Sequence, residues 1–221
     1  MLYYFWQSGM PLSQVGITLC AYLIAIALAL SFHEMAHGLV AYWCGDRTAR
    51  AEGRLSLNPL KHLDPLGTLC LLLTGFGWAK PVRVNPLKFK NFKRDMAFVS
   101  LAGVVTNFLI AFFFCPILMV SGELLASTNL FYNFVYYLME FIFIINISLA
   151  IFNLFPIYPL DGFNFINTFL KYDNKFAQFM RKYGSLILIV LFLTGGFAYI
   201  FNWVTDGILW LFINFWGLMI W

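Results

Sequence analysis

Charge is what this 221-residue chain has least of: 11% of its residues are Asp, Glu, Lys or Arg, against 62% hydrophobic and 20% aromatic. A water-soluble domain carries about 25% charged residues, so this composition, with a mean hydropathy of +0.79, excludes a cytosolic globular enzyme. Four cysteines (Cys20, Cys44, Cys70, Cys115) form no CxxC pair, which excludes a disulfide-stapled module and leaves them as inert, buried thiols. Three histidines are too few for a histidine-rich di-iron site. Internal repeats and low-complexity tracts are lacking, which excludes a solenoid and a disordered segment. No Lys or Arg occurs in the first 46 residues, so the first apolar stretch lacks a basic n-region and is expected to stay as a membrane span.

What the chain does have is long apolar stretches. Residues 12–44 carry only Glu34, 96–122 carry no charge, 124–160 carry only Glu140, and 183–205 carry none. Each is long enough for a spanning helix, which needs about 20 apolar residues. The third span is expected near 132–157. All 14 Lys and Arg fall between Arg47 and Arg94 or between Lys171 and Lys182. Putting both clusters in the cytoplasm makes the spans alternate, with the N-terminus outside. The net charge of +4 is therefore a topology signal and implies no nucleic acid. The stretch 65–79 is flanked by basic residues on both sides, so it dips in and returns or crosses twice, and Thr74-Gly75-Phe76-Gly77 suits a membrane-embedded turn better than a plain helix. The tail 207–221 is a short or re-entrant span, and its tryptophans (Trp203, Trp210, Trp216, Trp221) read as interfacial anchors. The fold class is all-α: a polytopic helical bundle of five to six membrane segments, one re-entrant, forming a single integral-membrane domain over 1–221.

Inside the first span stands His33-Glu34-Met35-Ala36-His37. On a helix, histidines four apart project from nearly one face and can reach one metal ion, while Glu34, rotated by about 100°, can approach water beside it. Chance and helix packing are the alternative. An ionisable group in hydrocarbon costs about 3 kcal/mol, however, so two imidazoles and a carboxylate there point to function. A catalytic zinc site takes three protein ligands and an open position, so the third ligand is His62 or a carboxylate. Asp161 follows the third span on the side where the first one ends. Alone it reads equally well as a helix cap, and the shared membrane side favours a ligand. Pro156 and Pro159 break the helix ahead of it.

Together these motifs resemble the site-2 protease family of intramembrane zinc metalloproteases, over most of the chain. An intramembrane HExxH is paired with Asn153, Pro156, Leu160, Asp161 and Gly162 in the family pattern Asn-x-x-Pro-x-x-x-Leu-Asp-Gly. Gly53-Arg54-Leu55, Asn58-Pro59, His62-Leu63-Asp64-Pro65-Leu66-Gly67 and the run from Gly77 to Pro86 resemble loops of compact bacterial members. Ala102-Gly103-Val104-Val105-Thr106-Asn107 is similar to the family's Ala-Gly-Pro-x-x-Asn, with Val104 in place of proline. The resemblance implies one Zn²⁺ held by His33, His37 and Asp161, with Glu34 as general base. It also implies substrate or transition-state support from Asn107 and Asn153.

The expected function is a zinc metalloendopeptidase that cuts peptide bonds within or near transmembrane segments of substrate proteins. The alternative is a metal-ion transporter using the HExxH as a transient ion site, which would want more polar ligands along a path. Thr74 to Asn85 suits an extended backbone able to pair with an unwound substrate. His62 reads as a structured loop residue, and Glu140 as helix-paired or near an interface. The expected partners are a transmembrane protein substrate and the bilayer. The expected location is a bacterial plasma membrane, with the site toward the cytoplasm.

Overall fold

A computed structural model describes residues 11–74, 77–124, 129–171 and 173–220. It holds eight α-helices among them: α1 Leu12–Trp43, α2 Thr48–Ala51, α3 Pro65–Thr74, α4 Phe92–Leu124, α5 Leu130–Leu154, α6 Asp161–Phe169, α7 Lys175–Leu193 and α8 Gly196–Ile220. Short 3₁₀ turns lie at Pro59–Lys61 and Pro86–Lys88. No strand occurs among the described residues, only one isolated antiparallel bridge between Leu63 and Ala79.

The centre is a three-helix assembly of α1, α4 and α5. Tyr22 stacks edge-on against Phe141 at 5.5 Å, and Ala25 and Ala29 pack with Ile145, so α1 and α5 run parallel. Their small alanines, at 0% and 1% exposure, let the two backbones approach closely, the usual route to helix association where lipid supplies no hydrophobic drive. The α4 helix runs antiparallel to α1, with Val99 opposite His37 and Gly103 opposite His33. It continues unbroken through Val104.

Two sequence expectations change here. The expected span 183–205 is broken: α7 ends at Leu193, the chain turns at Gly195 (φ +71°), and α8 begins at Gly196. By length and apolarity α7 would qualify as a span. Yet the Phe192 ring near its end lies 6.0 Å from Phe152, two residues before the end of α5. Its far end thus reaches only the level at which the chain left α5. The next helix, α8, runs parallel to α4: Phe212 packs on Phe108 and Phe112, and Trp216 on Phe112, at 5.0–5.1 Å. At 1.5 Å per residue α8 is about 37 Å long, enough for a core of about 30 Å. The tail 207–221 is therefore the second half of a full-length helix. Hydropathy misplaced the boundary because the apolar run continues through the turn.

The tryptophan expectation is also corrected in part. Trp203 and Trp210 face outward at 77% and 65% exposure, whereas the Trp216 indole N–H donates to the Phe112 carbonyl at 2.9 Å inside the bundle. Trp221 lies outside the described residues, as do Gly75 and Phe76 of the expected turn. Cys20 is exposed on α1, unlike the buried Cys44 and Cys115.

The 65–79 stretch returns to its starting level. Pro65 opens α3, and Asp64 Oδ1 accepts the Gly67 N–H at 2.8 Å, a cap that satisfies one of the free donors of the first turn. The ten residues of α3 rise about 15 Å, half the hydrocarbon thickness. The Leu63–Ala79 bridge and the Lys80 N–H to His62 O bond at 2.7 Å then hold the two ends together.

Candidate metal centre

The histidines of the HExxH lie on the buried face of α1, both at under 10% exposure, roughly 15 Å and 9 Å of helix rise before its end at Trp43. Their imidazoles meet edge-on, centroids 4.7 Å apart, with the two Nε2 atoms 3.1 Å from each other. Asp161 Oδ2 lies 3.2 Å from both Nε2 atoms. These three residues are the one group of His, Cys, Asp and Glu among the described residues with ligand atoms close enough to share an ion.

Asp161 gets there through a fold-back. The α5 helix stops at Leu154 because the residue before Pro156 is disfavoured in the α conformation. A non-helical turn then leads to Asp161 as the first residue of α6. Gly162 makes the turn possible: a Cβ there would overlap the Leu154 and Phe155 carbonyl oxygens at the end of α5.

The surroundings orient each imidazole. His37 Nδ1 lies 2.7 Å from the Val99 carbonyl, which can only accept, so Nδ1 carries the proton and Nε2 presents a lone pair. His37 Nε2 and Asp161 Oδ2 then face each other as two acceptors, an arrangement a cation relieves. Tetrahedral bonds of about 2.05 Å place ligand atoms about 3.3 Å apart, close to the observed 3.1–3.2 Å, so the donor set fits a divalent metal. The His33 ring lies flat against α4, where a side chain at Gly103 would strike it, and its buried Nδ1 has no partner among the described residues.

Glu34, also on α1, turns to a different wall. Its Oε2 accepts the Val82 N–H at 2.8 Å. Val82 belongs to the irregular stretch 77–85, which helps line a cavity of about 960 Å³. The same cavity is lined by His33, Glu34, His37, Asp161, Ser100, Asn153 and Asn164. Asn153 spends its amide N–H on the Leu149 carbonyl at 3.0 Å, which leaves its Oδ1 for the cavity.

Asn107 stands apart: it is fully buried one helical turn beyond Gly103, both its polar atoms lack partners among the described residues, and it does not line that cavity. His62 is also distant from the cluster, a buried loop residue with Nε2 2.7 Å from the Ser56 carbonyl. The groups sequence reasoning missed are the Val99 carbonyl, the Val82 amide and Asn164. Two are backbone atoms, which carry no side-chain signal, and Asn164 could have been found as the polar residue one helical turn after Asp161.

Comparison with known proteins gives the family. The model of "Peptidase family M50" matches residues 116–194, which include Asn153 and Asp161. A Bacillus subtilis (strain 168) protein named "Putative zinc metalloprotease YwhC" is 43% identical over 188 residues, covering 80% of this chain and 83% of that protein. The chain belongs to peptidase family M50, the site-2 proteases. Two mycobacterial relatives named Rip2 under the same description are each 27% identical and cover 91% of this chain. The Mycolicibacterium smegmatis protein (strain ATCC 700084 / mc(2)155) matches over 76% of its own length, and that of Mycobacterium tuberculosis (strain ATCC 25618 / H37Rv) over 80%. No solved structure matches the chain. M50 membership makes it a site-2 protease-like metalloprotease built from membrane helices.

Proposed function

We propose that this M50 protein hydrolyses peptide bonds within or near transmembrane segments of other proteins, using one Zn²⁺ held by His33, His37 and Asp161. The observation that carries the reading is the meeting of these three ligand atoms beside Glu34, in one cavity at membrane depth. When bound, zinc supplies Lewis-acid chemistry that lowers the pKa of water to about 7 and polarises a carbonyl.

The protein does the rest. Glu34 takes the proton of the attacking water and hands it to the leaving amine. The Val82 amide ties down Oε2 of that carboxylate, so Oε1 is the oxygen free for proton transfer. Val99 keeps His37 in the tautomer that offers Nε2. A transmembrane helix hides its carbonyls in its own hydrogen bonds, so the substrate must unwind before attack. The cavity's size and its polar groups at Ser100, Asn153 and Asn164 suit an unwound stretch whose backbone needs partners. The run 77–85, which lines the same cavity, offers its backbone for strand-like pairing to that stretch. All Lys and Arg lie on the side where α1 ends, which by the positive-inside rule is the cytoplasm, with the N-terminus outside.

The test is cleavage of a purified single-span protein in detergent. Zinc-loaded protein is expected to cut it, while Glu34→Gln keeps its zinc and loses at least about 10²-fold in rate. Full activity in that variant rejects the mechanism.

A further inference from the structure

The seam between α1 and α4 carries a second cavity, of about 570 Å³, that shares no lining residue with the one at His33. Its two ends differ in chemistry. At one end are Lys90 and Arg94, level with the end of α1 at Trp43 and the start of α4 at Phe92. From there Phe98, Leu101 and Val105 form an apolar wall, with Phe98 57% and Val105 50% exposed. Phe98 to Val105 rises about 10 Å into the bundle, within one leaflet of a core about 30 Å thick. Trp43, 65% exposed, stands at the rim, where indoles favour the headgroup level.

The charges at the mouth are unequal. Asp95 is fully buried and already satisfied: its carboxylate takes Nε and a terminal nitrogen of Arg94 at 2.8 Å and the Asn91 N–H at 2.8 Å. The Lys90 backbone N–H donates to the Cys44 carbonyl at 3.3 Å, which ties the end of α1 to the approach of α4, while its ammonium pairs with no acid among the described residues. The mouth therefore keeps one uncompensated cation at the membrane–water boundary, above an apolar groove.

We propose that this groove holds one anionic phospholipid, with its phosphate against Lys90 and Arg94 and an acyl chain along Phe98, Leu101 and Val105. A basic pocket between membrane helices selects for net negative headgroups, because the ammonium of a zwitterionic lipid meets the uncompensated Lys90 unfavourably. The bound lipid spans the α1–α4 seam, the one across which Val99 holds His37, and so stabilises the folded chain by mass action. The inference does not depend on the proteolytic reading.

The experiment is native mass spectrometry of the full chain in non-ionic detergent, with phosphatidylglycerol or phosphatidylcholine of matched acyl chains. One phosphatidylglycerol per chain is expected to stay bound in preference to phosphatidylcholine. Lys90→Gln is expected to weaken retention about fivefold, from the contribution of one basic residue near a charged headgroup. Val105→Trp, which fills the groove and keeps every charge, should weaken it as well, and Lys175→Gln on α7 should not. Glycerol 3-phosphate should fail to compete, since it lacks the chains. Equal retention of the two lipids means an unselective lipid coat and overturns the proposal. Retention indifferent to Lys90→Gln overturns it too, as does displacement by glycerol 3-phosphate. If Val105→Trp does not fold, Lys90→Gln decides alone.

Discussion

The side chain of His37 is bound at one edge to the Val99 carbonyl, 2.7 Å from Nδ1, and its other nitrogen faces Asp161 at 3.2 Å. One imidazole thus links α1, α4 and the start of α6, and the cluster of ligand atoms exists only while those three elements are docked.

Loss of the carboxylate should therefore cost the metal before it costs the fold. In Asp161→Asn, zinc measured by elemental analysis after dialysis is expected to fall well below one ion per chain, with the helical circular dichroism retained. One tightly held zinc in that variant would count against Asp161 as a ligand.

The same geometry makes metal a stabiliser. Chelator is expected to lower the melting temperature of the wild-type protein and added zinc to restore it, since an ion bound by the folded chain alone shifts the equilibrium toward it. In Asp161→Asn the chelator-dependent shift should shrink or vanish. An equal shift in both proteins would place the stabilising ion elsewhere.

Gly103→Ala adds one methyl group where the His33 ring lies. A ring pushed off its position should weaken zinc affinity by about 10- to 100-fold, the range seen when groups that orient a ligand are changed. A competition titration with a zinc-binding dye measures this. The neighbouring change Val104→Ala, which removes bulk instead of adding it, should leave affinity close to wild type.

Gly162→Ala sets a Cβ against the carbonyl oxygens that end α5. Rigid backbone cannot step aside as a side chain can, so a destabilisation of about 1–3 kcal/mol is expected, read as a lower melting temperature, with zinc loss as α6 shifts. Unchanged stability and zinc content would show that the fold-back tolerates a side chain.

Asp46 gives a pH dependence that does not involve the metal. Burial pushes this carboxyl up, but the N–H groups of Asn85 and Thr48, the Thr48 hydroxyl and the Lys88 ammonium outweigh it and hold it below its ordinary value. A depressed folded value means the carboxylate stabilises the protein above about pH 4 and that this contribution is lost as pH falls through the folded value. Asp46→Asn is expected to cost about 1–3 kcal/mol at neutral pH and to flatten the acid side of the melting curve. An acid limb identical to wild type would assign the effect to other carboxylates.

Much of this was legible in the residues. The HExxH spacing announces two imidazoles on one helical face whatever the fold, because a period of 3.6 residues is a property of the backbone. Two prolines after Asn153 foretell the break that frees Asp161. Basic residues on both flanks of 65–79 foretell that its two ends lie on one side, and the Leu63–Ala79 bridge brings those ends together. Trp216 was illegible: it and Trp210 both stand in one uncharged run, and only the docking of α8 on Phe112 turns one inward and leaves the other exposed. Gly195 was equally hard to read, since a single positive-φ turn inside an apolar run leaves the average hydropathy unchanged.

Composition and local periodicity, which act over a few residues, were enough for the membrane class, the helical class and the identities of the ligand candidates. Only the packed fold decided that the chain breaks at Gly195 between α7 and α8, that Val82 restrains Glu34, and that Asn153 reaches the cavity while Asn107 does not. Those outcomes depend on how helices distant in sequence pack together, and the free energy of that packing is shared among many contacts that no local pattern records.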